Sequence, residues 1–284
     1  KDVMFVKIGP KLQRPVKTKR QLLSIVSSMY DPLGIICPYI LKGRLFFQLV
    51  NQTKITWNQE VPEHILTPFN KWRQKMHHLT KIEIPRWINP LGFKDALTDL
   101  IIFTDASTIG YGFCAYIRKY LPDEQNPQVT YFFGKSHVVP LNMLQHPVKS
   151  QQFHGDSVPE LELTAATLGA TYRDVFVRES GEKYDNIHMF TDSMTIIKWI
   201  NDWSTKFKTY TNFRLKRIRL LSKTSEWSYV NTKNNPSDLC SKGIDADNSD
   251  AWSFFHSGPS FLRRPKREWE TEASKKTTHI STIC

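Results

Sequence analysis

The chain carries 284 residues, 40% of them apolar and 12% aromatic, enough for one large core or two small ones. Its 39 basic residues against 27 acids give a formal charge of +12, which favours a polyanionic partner, nucleic acid first, though solvated lysine faces alone would also account for it. Cys37, Cys114, Cys240 and Cys284 form no C-x-x-C pair, so neither a zinc site nor a disulfide framework is indicated, and a reducing compartment fits. No apolar run is long enough to span a bilayer, no signal peptide opens the chain, and the first residue is Lys; the expectation is a piece of a longer polyprotein.

Thr18 with Gln21 spells a capping box, and Leu22, Leu23, Ile25, Val26 and Met29 then follow at helical spacing until "YDPLG" breaks the pattern. A second apolar helix is expected after Pro38, and Ile65, Phe69, Trp72, Met76 and Leu79 mark one buried face of a third. Residues 1 to about 85 are thus expected to be helical, with "IPRWINP" as a proline-punctuated link.

From residue 99 the period changes. "DLIIFTD", "GYGFCAYIR" and "VTYFFGKSHVV" predict an antiparallel meander, and a Gln, His, Pro and Gly-rich loop at 142–157 leads into a long helix beginning near Pro159. A strand "NIHMFTD", a helix "SMTIIKWIN", a basic helix "KTYTNFRLKRIRLLSK", a strand "EWSYVNT" and a short helix at "NNPSDLCSKG" follow. The order βββαβααβα predicts an α/β domain with a helix-covered sheet, and residues beyond about 258 are expected to be a tail or linker.

Four acids stand out by position. Asp105 ends the first strand of the meander, Glu162 lies in the first turns of the long helix, Asp192 ends the fourth strand and Asp238 opens the last helix. If the first and fourth strands are parallel neighbours, Asp105 and Asp192 lie side by side, and a divalent cation with hard oxygen ligands removes the repulsion. Each acid alone has an ordinary alternative: "DAS" and "DSM" make turns, and Asp238 suits a helix start. Glu160 and Glu162 lie about 200° apart on a helical wheel, so only one faces the sheet; Glu162 shares its face with the small Ala166 and Gly169.

"FTDAS", "ELELTAA", "FTDSM" and "NNPSDLCSKG", in this order, resemble the RNase H region of BEL/Pao-type retrotransposon Pol polyproteins, and "TKRQLLSIVSSMYDPLGIICPYILKGRLFFQ" resembles the connection from reverse transcriptase in the same elements. The resemblance implies an RNase H-like mixed sheet of strand order 3-2-1-4-5 with flanking helices. It divides the chain into a helical connection at 1–90, an RNase H-like domain at 91–258 and a basic tail at 259–284. It also implies metal-dependent cutting of the RNA strand of RNA/DNA hybrids, with two Mg²⁺ or Mn²⁺ ions held by Asp105, Glu162, Asp192 and Asp238. The implied partners are an RNA/DNA hybrid and an upstream reverse transcriptase and downstream integrase of the same polyprotein, in a cytoplasmic retroelement particle or the nucleus. The chain departs from the family in the long link "NMLQHPVKSQQFHGDS" and in Glu160, where a basic residue is usual.

Choosing RNA requires contact with 2′-hydroxyls, expected at Ser107 and near the long helix, with Ser193 beside Asp192 as a further contact. Residues 206–223 interleave Lys208, Arg214, Arg217 and other cations with Phe207, Tyr210 and Phe213, a pattern of phosphate tracking or simply of an amphipathic helix. His137, His146 and His154 flank the 142–157 loop at spacings that match no metal pattern. An inactive support domain is the second expectation. A peptidase, the label that related sequences often carry, is disfavoured because no D-[ST]-G occurs; a polymerase is disfavoured because no Y-x-D-D occurs.

Overall fold

The computed structural model describes residues 2–86, 96–122, 127–141 and 157–269. Strand β1 (Val3–Phe5) opens the chain, and Thr18 then caps α1 (Lys19–Val26) with the reciprocal Gln21 bond that a capping box requires. The "YDPLG" turn folds around Asp31, whose carboxylate accepts from the Ile35 and Ile36 amides and launches α2 (Cys37–Gln52). Helix α3 (Glu63–Gln74) and the 3₁₀ turn Lys75–Lys81 bury Ile65, Phe69, Trp72, Met76 and Leu79, the face read from their spacing. The expectation of an all-helical start needs one correction: β1 pairs antiparallel with β2 (Glu83–Pro85). Residues 87–95, which hold most of the expected link, lie outside the described residues.

The main sheet contains β3 (Leu97–Ala106), β4 (Gly110–Tyr120), β5 (Gln128–Val138), β6 (Asn186–Thr191) and β7 (Trp227–Tyr229), in the order β5-β4-β3-β6-β7. The first three are antiparallel; β6 runs parallel to β3, and β7 parallel to β6. This is the mixed 3-2-1-4-5 sheet expected of an RNase H-like fold. Alternation along β3 divides the core. Leu100 and Ile102 pack with Leu163, Ala166 and Ala170 of α4 (Ser157–Glu179) and with Leu215 and Ile218 of α6 (Thr209–Leu221); α5 (Met194–Asn201) adds Ile196 and Ile200.

On the opposite face Ile101 and Phe103 join Cys240 of α7 (Asp238–Lys242), Phe255 of α8 (Ser249–Ser257), and Tyr39, Phe69 and Trp72 from the N-terminal helices in one cluster. The N-terminal helices therefore share a core with the sheet. Contact between them is close: the Tyr131 hydroxyl donates to the Gly34 carbonyl at 2.6 Å, and a Cβ on Gly34, at φ +72°, would overlap the Gly134 carbonyl oxygen.

The expectation of a tail beyond 258 is corrected as far as Trp269. Phe261, Leu262 and Trp269 are buried, and the guanidinium of Arg118, itself inaccessible on β4, donates to the Leu262 and Arg264 carbonyls while pairing with Asp99 at 3.1 Å. Without apolar period of its own, the segment is held by a cation remote in sequence. Residues 270–284 lie outside the described residues.

Candidate active site

Thr104 of β3 pairs with Thr191 of β6, so Asp105 and Asp192 are the next residues outward on parallel neighbours. Asp105 is buried at 5% exposure, with the Asp192 carboxylate within hydrogen-bonding reach. Burial first, then the charges of Asp192 and Asp238, push the Asp105 carboxyl up to about 8, against an offsetting bond donated by the Ser241 hydroxyl. Asp238, at the first position of α7, forms an ion pair with Lys242 one turn on at 2.6 Å, and the Lys242 ammonium also feels Asp105 and Asp192.

Glu162 reaches the same place from α4. Gly169, on the face shared with Glu162, lets the helix settle onto the sheet, since a Cβ there would meet Thr104 Cγ2 at 2.4 Å. Glu160 is exposed, as the helical wheel requires. Burial raises the Glu162 carboxyl, which Ser193 partly offsets by hydrogen bonding, while Asp192 raises it further. Its Oε2 is buried without a hydrogen-bond partner, a condition that ordinarily costs about 1–3 kcal/mol.

The structure thus brings together Asp105, Glu162, Asp192 and Asp238. They supply hard oxygen donors, one of them orphaned, and the net charge of the cluster suits a divalent cation. Among the described residues, however, no group of three His, Cys, Asp or Glu side chains converges closely enough to hold one. Ser241 engages Asp105, Lys242 engages Asp238 and Ser193 engages Glu162, so each of these acids is already held by a neighbouring side chain.

Of the expected substrate contacts, two serines have protein partners. Ser107 donates to the Ser241 carbonyl at 2.8 Å and accepts from the Ile109 and Gly110 amides, which closes the β3–β4 turn onto α7. Ser193 caps α5 and steadies Glu162. The basic residues lie on or just before α6. Lys208 precedes α6 and is exposed; Arg214 lies over the Tyr210 ring at 3.6 Å, and Tyr210 bonds Thr164, two residues past Glu162 on α4. Arg217 is exposed and reaches Thr171, whereas Arg219 is consumed by the Trp199, Ile200 and Asp202 carbonyls. Phe207 and Tyr210 are half-buried while Phe213 is 64% exposed, so α6 combines an inward aromatic edge with an outward basic face. His146 and His154 lie outside the described residues.

Sequence reasoning missed Asn235 and Ser241. Asn235 is 1% exposed; its amide donates to the Thr104 carbonyl at 3.2 Å and its Oδ1 accepts from Ser237, which ties the loop before α7 to the end of β3. The signal was the Asn-Pro pair in "NNPSD", a turn whose polar side chain needs a partner.

A family model described as the Pao retrotransposon-like RNaseH-like domain matches residues 18–193. The chain belongs to this family. The matched span includes Asp105, Glu162 and Asp192, while Asp238 and α6 lie beyond it. Solved structures similar to this family member include the foamy viral protease-reverse transcriptase dRH in complex with double-stranded DNA, 14% identical over 78% of this chain and 34% of that one, with a TM-score of 0.42. RNase H1 from the halophilic archaeon Halobacterium salinarum is 10% identical over 49% of this chain and 89% of its own, with a TM-score of 0.27. The chain spans only about a third of the first of these. The search of curated proteins gave no match. No helix among the described residues is long and apolar enough to cross a membrane.

Proposed function

We propose that this domain is a divalent-metal-dependent endoribonuclease that cuts the RNA strand of RNA/DNA hybrids during retrotransposon reverse transcription. The observation that carries the proposal is the buried Asp105 in the field of Asp192 and Asp238, with an orphaned Glu162 oxygen, an arrangement whose cost a bound divalent cation would offset. Asp105, Glu162, Asp192 and Asp238 would hold two ions, Mg²⁺ or Mn²⁺, which when bound lower the pKa of the attacking water and stabilise the leaving oxygen. The protein's own part is placement. Two interior strands, β3 and β6, would present Asp105 and Asp192 at their carboxyl ends, α4 would bring the third acid, and Asn235 and Ser241 would fix α7 so that the fourth stays near. Arg214, Arg217 and Lys208 on and before α6 supply phosphate contacts that position the duplex without reading its sequence. An RNA/DNA hybrid as nucleic-acid partner, and an upstream reverse transcriptase and downstream integrase of the same polyprotein as protein partners, belong to the same proposal.

A support role is the second reading, favoured by one observation: Lys242 already offers the three aspartates a cation of the protein's own. An end-labelled hybrid incubated with the protein in Mg²⁺ or Mn²⁺, beside Asp192→Asn and single- and double-stranded RNA controls, separates the two. Hybrid-selective cutting lost in Asp192→Asn, with binding retained, supports the nuclease. Binding without cutting in both proteins, at every metal tested, leaves the support role.

A further inference from the structure

Away from the carboxylates, α2 crosses edge strand β5 and the two border an open, shallow hollow of about 630 Å³. Arg44, Phe47, Gln48 and Asn51 line it from the helix; Lys135, His137 and Val138 line it from the strand, with Leu141 beyond. Arg44 spends one of its five N–H donors on the Ser136 carbonyl at 2.8 Å, and Gln48 donates to the Val139 carbonyl, so the helix side is fixed in place. Lys135 bonds the Tyr172 hydroxyl, a neutral partner. Among the described residues neither Arg44 nor Lys135 forms an ion pair, although the field of Arg44 reaches the Asp31 carboxylate and the fields of both cations reach the His137 imidazole. His137 Nε2 is buried and has no hydrogen-bond partner.

The charged groups of this lining are two cations and no acid, so a metal ion would be repelled. The ligand chemistry they suit is an oxyanion with several acceptor oxygens, and phosphate fits the Arg and Lys pair. Position then selects the source. Ala106, next to Asp105, pairs with Tyr111, which pairs with His137, so the hollow lies two strand spacings, about 10 Å, from the end of β3. The Tyr111 and His137 rings stack at 5.3 Å, and Tyr111 also lies in the field of Arg214 on α6. The same row of the sheet is therefore flanked by cations on both sides. A duplex strand carries a phosphate every ~3.4 Å of its axis, so one seated on the carboxylates brings phosphates to this row.

We propose that Arg44, Lys135 and His137 form a phosphate site that grips the backbone of the same nucleic acid the carboxylates address. This rests on the nucleic-acid part of the proposed function, and not on cleavage. The site joins the N-terminal helices to the sheet, so both parts of the shared core would contact the substrate.

The test is hybrid affinity measured against salt concentration in EDTA, for the wild type, Arg44→Gln, Lys135→Gln, the double variant, Arg44→Lys and the exposed control Lys71→Gln. Each Gln variant is expected to weaken binding about three- to tenfold. The double variant should flatten the slope of log K against log[salt] by about 0.9 for each phosphate it no longer neutralises. Arg44→Lys, which keeps the charge, should recover most of the slope, and Lys71→Gln should match the wild type. Unchanged affinity and slope in the double variant, with tight wild-type binding, overturn the site and leave the nuclease proposal standing. If the wild type does not bind hybrid, the nucleic-acid reading fails first. The His137 ring resonances are then titrated with inorganic phosphate: shifts lost in Arg44→Gln support an anion site at these residues, the same shifts with an unchanged hybrid slope in the double variant make it a small-anion site and overturn the backbone assignment, and no shift, or a shift that persists in Arg44→Gln, overturns the anion site.

Discussion

Asp105→Asn should stabilise the metal-free protein while abolishing its activity. The wild-type carboxyl moves from an ordinary 3.8 to about 8, so between those values the folded state holds a proton that the unfolded chain has released. Stability from this group is therefore lost as pH rises from about 4 to 8, and is level above that. At about 1.4 kcal/mol per pH unit the cost at pH 7 has an upper bound of about 4 kcal/mol, and coupling to Asp192 and Asp238 makes about 2–4 kcal/mol the working expectation. His137, His188 and His256 act oppositely, because burial holds each below its ordinary 6.5 and their contribution grows as pH rises to that value. The difference between variant and wild type cancels them. Urea unfolding in EDTA at pH 5, 6, 7 and 8 should show the variant's advantage widening with pH, and added Mg²⁺ should stabilise the wild type more than the variant. A constant difference across pH, or a wild type that gains on the variant, would refute the idea that a crowded buried carboxylate sits at this position.

Ser241→Ala removes the buried hydroxyl that holds Asp105; the expected result is a 10- to 100-fold weaker response to Mg²⁺ in the cleavage assay, with a stability loss of about 1–3 kcal/mol in the metal-free protein by urea unfolding. Arg118→Ala leaves Asp99 buried and unpaired and releases the Leu262 and Arg264 carbonyls, so urea unfolding should register a loss of about 3–5 kcal/mol and limited proteolysis should cut near residue 264. Gly169→Val pushes α4 off Thr104; a stability loss of about 1–3 kcal/mol with loss of cleavage is expected, and wild-type activity would show that this helix approach does not place Glu162.

The sheet and its acids were legible because β3 and β6 are apolar runs that stop on Asp, and because period separates Glu162 from Glu160 on one helix. What escaped has physical causes. β1 and β2 are three residues each, too short to show alternation, and exist because they pair with one another across some eighty residues. Helix α8, "SDAWSFFHS", has only two buried residues, Trp252 and Phe255, and its packing was invisible without the sheet face they fill. Phe261 and Leu262 are adjacent and carry no period; they are buried because Phe261 packs on Phe103 and Phe190 of the sheet while Arg118 holds the Leu262 carbonyl. Ser107 and Ser193 stand where a substrate contact is natural, but a hydroxyl beside an unmet amide, carbonyl or carboxylate is taken up by the protein first.

β5 is an edge strand, the kind of border along which sheets of separate molecules join. Here its outward backbone is already engaged: the Gly134 amide donates to the Leu33 carbonyl, and Arg44 and Gln48 donate to the Ser136 and Val139 carbonyls. The first 86 residues thus chaperone the sheet that follows them. A nick between residues 87 and 95 would leave two pieces that stay associated, whereas a sheet expressed without its helices would offer β5 to the next copy and aggregate.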